Sequence, residues 1–114
     1  MPPRSPVDLL QGTLDLLLLL SLTGGKRHGY EIVRWLREHS GEELRIEEGA
    51  LYPALHRLEA KGLIDAEWGS SENNRRAKFY RLTGLGRRRL EQQRQSWQRY
   101  SEAMSRLLAA ATRA

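Results

Sequence analysis

Hydrophobic positions along this chain switch between two periods. Leucine occupies positions 9, 10, 14, 16 to 20 and 22, which leaves almost no polar face. Asp8 followed by Gln11 has the spacing of a capping box and predicts a helix from 8 to about 22. A helix apolar on all sides needs cover from more than one direction. It is either a central core helix or one squeezed between its own domain and a second subunit, and the small size of the chain favours the second. Gly24 to Arg27 reads as a turn. Ile32, Val33 and Leu36 then predict a helix over about 28–40, with Glu31, Arg34, Arg37 and Glu38 on its wet side and Gly41 as its C-cap. Residues 42–48 are acidic, and Leu44 and Ile46 alternate as in a brief strand. The next helix is built on Leu51, Leu55 and Leu58. Pro53, lacking an N–H, sets its start near Gly49, and Gly62 supplies the left-handed residue that ends it, with Leu63 folding back on Leu58.

Beyond Gly62 the period falls to two. Ile64, Ala66 and Trp68 alternate with Asp65 and Glu67, predicting a half-buried strand, and 78–83 alternates again with Tyr80 and Leu82 on one side. The polar stretch 69–77 between them is too long for a tight hairpin. From Gly84 to Thr112 the helical period returns, with Thr83 as N-cap. Leu90, Trp97, Met104 and Ala111 recur every seventh position, and Gln93, Tyr100 and Leu107 repeat at the complementary offset, an a/d seam held for about three heptads. A seam outside a completed small domain calls for a second chain. The expected fold is mainly α with a small β-hairpin: a winged helix-turn-helix followed by a C-terminal dimerisation helix. Residues 1–7, with three prolines, form a flexible arm, 8–83 the winged domain and 84–114 the dimerisation helix.

Composition narrows the partners. The 114 residues carry 19 basic and 14 acidic side chains, a formal charge of +5, which suits a nucleic-acid partner and equally an ordinary basic protein. Placement separates the two. The helix face opposite the leucines carries Pro53, His56, Arg57 and Lys61, with Tyr52 at its edge and short side chains at Ala54 and Ala60. The hairpin ends in Arg75, Arg76 and Lys78. Lys26 and Arg27, just ahead of the second helix, either meet a phosphate together with its free N–H groups or form a solvated turn. Arg87, Arg88, Arg89, Arg94 and Arg99 lie mostly off the seam, on a solvated face.

There is no cysteine, which removes disulfides and thiolate chemistry. His28, His39 and His56 lack metal-ligand spacing, and neither a nucleophile–base pair nor a phosphate-cradling glycine loop is visible. No metal, no cofactor and no enzymatic activity are expected. The apolar run 16–20 is far too short to span a bilayer, so a cytoplasmic protein with no membrane partner is expected. A winged fold also permits a protein–protein adaptor that makes no use of DNA. The cationic helix and hairpin weigh against that alternative.

The segments His28–Ile32, Gly49–Ile64 and Lys78–Thr83 together resemble the PadR family of bacterial transcriptional regulators. The likeness spans about Leu10 to Leu108, and the single C-terminal helix looks like the short subfamily. The resemblance implies a homodimer, commonly a repressor, that binds a palindromic operator in double-stranded DNA. It puts the central helix in the major groove, with contacts from Tyr52, Pro53, His56 and Arg57, Lys61 near the backbone, and Arg75, Arg76 and Lys78 from the hairpin. It packs the first helix against the partner's last helix, which points to Leu10, Leu14, Leu18, Leu90, Gln93, Trp97, Tyr100, Met104 and Leu107 as the dimer interface. Several members resembling this chain hold planar, often cationic molecules between tryptophans. By that likeness Trp97, walled by Leu14, Leu18, Tyr100 and Met104, would take a planar hydrophobic effector, while plain packing of Trp97 in the interface is the alternative. The chain departs from the family at Ala50, where members usually carry Thr or Ser, losing one hydroxyl-to-phosphate hydrogen bond worth about 1 kcal/mol. Asn73-Asn74 also makes the hairpin tip poorer in proline and glycine than usual.

Overall fold

The structure, a computed structural model, describes residues 12–113. The first helix, α1, spans Leu14–Ser21; the capping box at Asp8 and the interface residue Leu10 lie outside the described residues. A two-residue strand β1 (Arg27–His28) leads directly into α2 (Gly29–His39). His28 caps α2 reciprocally: its ring accepts from the Glu31 N–H, and the Glu31 carboxylate accepts from the His28 N–H. Then come α3 (Glu48–Ala60), β2 (Ile64–Ser70), β3 (Arg76–Leu82) and the long α4 (Gly84–Arg113). The three strands form one antiparallel sheet in the order β1-β3-β2.

Three local expectations give way. Residues 43–47 form no strand. Gly41 and Glu42 both take left-handed φ, 64° and 66°, because Glu42 N–H reaches back to Arg37 O and Gly41 N–H to Glu38 O in a Schellman closure of α2. Two such residues in a row turn the chain away from an extended path. The short strand lies instead at Arg27–His28, paired with Tyr80 and Phe79. Helix α3 does start close to Gly49, at Glu48, but Pro53 sits a full turn inside it and not in its first turn. The bond it forfeits is to the carbonyl of Gly49, an exposed residue where water can take the place of the missing donor. The hairpin is also tighter than its polar run suggests. Pairing extends from Ile64↔Leu82 to Ser70↔Arg76, and Ser71 N–H to Arg75 O at 2.8 Å closes the tip, with Asn74 at φ 56°.

The α3 terminus follows expectation. Gly62 has φ 74°, its N–H meets Glu59 O and the Leu63 N–H meets Leu58 O. Leu58 and Leu63 both enter the core. From there Thr83 ties the wing to α4. Its hydroxyl donates to Gly62 O at 2.6 Å and accepts from the Gly86 N–H at 3.0 Å, capping α4 as its position predicts. Gly86 has no substitute: a Cβ there would fall inside the Leu63 carbonyl oxygen.

One core joins α1, α2, α3, the sheet and the first turns of α4 around Leu18, Leu19, Ile32, Leu55, Leu58 and Ile64. The all-leucine helix obtains much of its cover from its own chain. Leu18 and Leu19 are fully buried there, whereas Leu14, Leu16, Leu17 and Leu20 are only partly covered. Past Leu90, α4 leaves the body, and Trp97, Tyr100, Met104, Leu107 and Leu108 stand exposed. No helix among the described residues is long and apolar enough to cross a membrane.

Candidate nucleic-acid interface

The core fixes α3 through Leu51, Ala54, Leu55 and Leu58, all buried. Ala54 therefore belongs to the inner stripe and not to the flat outer face expected for it. Pro53, His56, Arg57, Ala60 and Lys61 remain exposed on the other side. The His56 and Lys61 side chains hold no partner among the described residues. Arg57, at the α1 flank, donates to Asp15 Oδ1 at 3.1 Å. At the opposite flank Tyr52 lies over Gly29: a Cβ at Gly29 would come within 2.5 Å of the Tyr52 hydroxyl. The bare first residue of α2 is thus what lets the Tyr52 ring settle there.

The wing stands beside this face. Lys78 Nζ bonds Glu59 Oε1 of α3 at 3.1 Å, which fastens the hairpin to the helix and compensates the lysine charge. The Arg75 side chain has no partner among the described residues, and the Arg76 guanidinium lies 4.5 Å from the centre of the Trp68 ring. Trp68 is not half-buried as its alternation suggests but 60% exposed, because the hairpin outruns the core beyond Ala66. It borders a cleft of about 420 Å³ together with Tyr30, Tyr52, Arg76 and Lys78. Tyr30 and Trp68 border this cleft but were not among the residues expected at the interface; an aromatic close to a basic hairpin tip was the available signal.

Lys26 and Arg27 are placed differently from a loose turn. Lys26 Nζ bonds Glu67 Oε1 at 3.0 Å, and this hydrogen bond, with the lysine charge, holds the Glu67 carboxyl below its usual value. Arg27 Nε donates to Ser21 O at 2.8 Å, and its guanidinium lies over Trp35. His28 closes part of the α2 N-terminus, its cap accounting for the His28 and Glu31 N–H groups. On the same strand pair Arg81 Nε bonds Asp65 Oδ1, raising the arginine pKa further.

A second cleft, of about 640 Å³, opens between the start of α1 and α4, lined by Thr13, Leu16, Gln93, Trp97 and Tyr100 among others. Trp97 and Tyr100 stack with ring centres 6.0 Å apart. Gln93 Oε1 is buried with no hydrogen-bond partner among the described residues. Of the expected walls, Trp97 and Tyr100 are present. Leu18 is not, being fully buried in the core, and Leu14 and Met104 do not border this cleft. Among the described residues no cluster of side chains has the makings of a metal site.

A helix anchored by one apolar stripe, with a cationic outer face flanked by a two-stranded wing, defines a winged helix-turn-helix protein. The chain belongs to the PadR-like family of transcriptional regulators, whose sequence pattern, described as "Transcriptional regulator PadR-like family", matches residues 16–92. Among its relatives, a protein of Lysinibacillus sphaericus called uncharacterized protein X is 32% identical over 95 residues, covering 83% of this chain and 87% of its own. A PadR family regulator of Clostridium difficile R20291 superimposes with a TM-score of 0.75 at 33% identity, covering 85% of this chain and 99% of that one. The Bacillus subtilis PadR solved in complex with operator DNA gives 0.64 at 25% identity, over 73% of this chain and 46% of its own.

Proposed function

We propose that this regulator is a cytoplasmic homodimeric repressor that binds a palindromic operator in double-stranded DNA. The observation that carries the reading is the outer face of α3, where Pro53, His56, Arg57 and Lys61 stand exposed while the leucine face behind them is buried. Two such helices, one per subunit, would enter successive major grooves about 34 Å apart. His56 and Arg57 reach base edges, Arg57 by a forked contact to guanine. Tyr52, Pro53, Lys61, Arg75, Arg76 and Lys78 position the domain on the backbone. Lys26 and Arg27 join this set as backbone contacts; like Arg57 and Lys78, they hold internal partners that a phosphate has to compete with. The exposed apolar run of α4 supports pairing with a second copy. Bacillus subtilis PadR, a relative, was captured on its operator. Selection of bound duplexes from a random pool tests operator and symmetry together. A two-fold consensus with half-sites one helical turn apart is the expected result; no enrichment at low salt would overturn the reading.

The cleft beside α4 favours a second layer of function. Its stacked Trp97 and Tyr100 rings and the Gln93 carbonyl, unpartnered among the described residues, fit a planar aromatic effector carrying a hydrogen-bond donor, whose binding would release the DNA. Quenching of tryptophan emission by planar cationic dyes, lost in Trp97→Ala, is the corresponding measurement.

A further inference from the structure

The inner face of the wing carries a feature that repressor action through α3 does not require. Trp68, Lys78 and Arg76 share that face: Trp68 is paired with Lys78, and Ser70 with Arg76. The hairpin has outrun the core there, so a large indole is left 60% exposed, held by cross-strand neighbours alone. The indole is not idle, since the Arg76 guanidinium is laid over it at 4.5 Å from the ring centre. Stacking holds a long, flexible cation in one place, so less side-chain freedom is lost when it meets an anion. Across the cleft stand Tyr52, seated on Gly29, and Tyr30, 67% exposed. Lys78, the other cation of this wall, is compensated by Glu59. Arg76 is therefore the charge the cleft has to offer.

From this arrangement we infer that the Trp68–Arg76 pair, facing Tyr52, grips one sugar–phosphate strand of the duplex alongside α3, with the phosphate on Arg76 and the deoxyribose against the indole and phenol rings. The inference rests on the DNA-binding reading above. Charge selects the occupant. A planar cation would be repelled by Arg76, and intercalation of a base against the stacked face of Trp68 is blocked by the guanidinium. A phosphodiester next to an apolar sugar matches a guanidinium next to an indole. The cleft is also continuous with the α3 face through Tyr52, so a duplex seated on α3 brings a backbone to it. Contacts of this kind set register and affinity without reading bases.

The test uses the full chain, wild type and with Trp68→Ala, Trp68→Phe and Arg76→Lys, titrated against a selected operator and a random duplex over a range of salt. Wild-type binding is the control: if it binds no duplex, the DNA-binding reading itself has failed. If it binds, Trp68→Ala is expected to lose roughly tenfold on both duplexes, because the sugar loses its platform and Arg76 is no longer held in place. Trp68→Phe is expected to keep most of the affinity. Arg76→Lys retains the charge, so its salt slope is expected to match wild type while its affinity falls with the lost stacking. The Trp68 emission, taken as wild type minus Trp68→Phe, should shift on addition of duplex. Equal affinity of Trp68→Ala and wild type, or a Trp68 emission indifferent to DNA, would overturn the inference. A loss confined to the operator would do the same, because it would make Trp68 a base reader.

Discussion

Arg57 of α3 and Asp15 of α1 form an ion pair, with Nη2 to Oδ1 at 3.1 Å, across 42 positions of sequence. The helix proposed to read DNA is thereby tied to the helix that borders the cleft at α4. Half of the Arg57 side chain remains exposed, so the pair is a weak fastener, worth under about 1 kcal/mol. Its larger effect falls on binding. The guanidinium must leave Asp15 to fork onto a guanine, and the abandoned carboxylate would then face a polyanion.

Asp15→Asn is accordingly expected to raise affinity for any duplex by several-fold at low salt while lowering the melting temperature by a few degrees at most. Fluorescence anisotropy and thermal melts read the two effects. Unchanged or weakened DNA binding would mean that Arg57 does not leave Asp15 when the protein binds.

Arg57 and Arg75 divide the work differently. Arg57→Ala is expected to cost about 1–3 kcal/mol on operator and much less on random duplex, because a forked base contact is lost. Arg75, unpartnered at the wing tip, contributes charge alone, so Arg75→Ala should weaken both duplexes alike and flatten the salt dependence. Equal loss on operator and random duplex for both variants would remove the distinction.

How much of this was visible beforehand follows from range. The caps at Thr83 and Gly62 and the leucine stripe of α3 were legible because each depends on residues a few positions apart. β1 was not: two residues become a strand only because Tyr80 and Phe79 arrive beside them. Alternation told which face Trp68 shares with Ile64 and Ala66 but not where the core ends, so its exposure was missed. The basic residues expected to meet DNA were found from their place on the α3 face and the hairpin and from the family resemblance. Which of them are occupied, Lys26 by Glu67 and Arg57 by Asp15, depends on partners some 40 positions away.

Tyr80 makes stability respond to alkali. Its burial raises the phenol pKa above the usual value of 10.0, so the folded chain holds that proton more tightly than the unfolded one. The contribution is fully present below about pH 10 and is lost as pH rises through the raised folded value. Tyr80→Phe removes the ionisation. The wild type should therefore lose melting temperature above pH 10 more steeply than the variant, and parallel curves would refute this. At the acid end the sign reverses: the lowered Glu67 helps above its usual 4.5 and loses that help as pH falls through the folded value, a small effect for an exposed pair.

Gly86 and Gly49 form a matched pair of tests. A methyl at Gly86 collides with the Leu63 backbone, whereas one at Gly49 meets nothing within 4 Å. Gly86→Ala should destabilise by about 3 kcal/mol or more, since backbone must move where α4 crosses the α3–β2 turn. Gly49→Ala should be neutral or stabilise by up to about 1 kcal/mol through helix propensity. Urea melts compare them directly.

The projecting half of α4 is where a second copy would be gained or lost. Trp97, Tyr100, Met104 and Leu107 repeat along one stripe, are exposed in the single chain and continue from the buried Leu90. On a helix of 30 residues, about 45 Å long, that stripe is too far from the core for its own domain to cover. Placing carboxylates on it, as in Met104→Glu with Leu107→Glu, sets like charges opposite each other across a two-fold seam while leaving the winged domain untouched. Sedimentation should then show single chains at concentrations where the wild type pairs. Operator affinity should fall by two orders of magnitude or more, because each half-site would be bound without the effective concentration its linked neighbour provides. A doubly substituted chain that still sediments as a pair, or single chains that keep full operator affinity, would show that this stripe does not join the two DNA-binding domains.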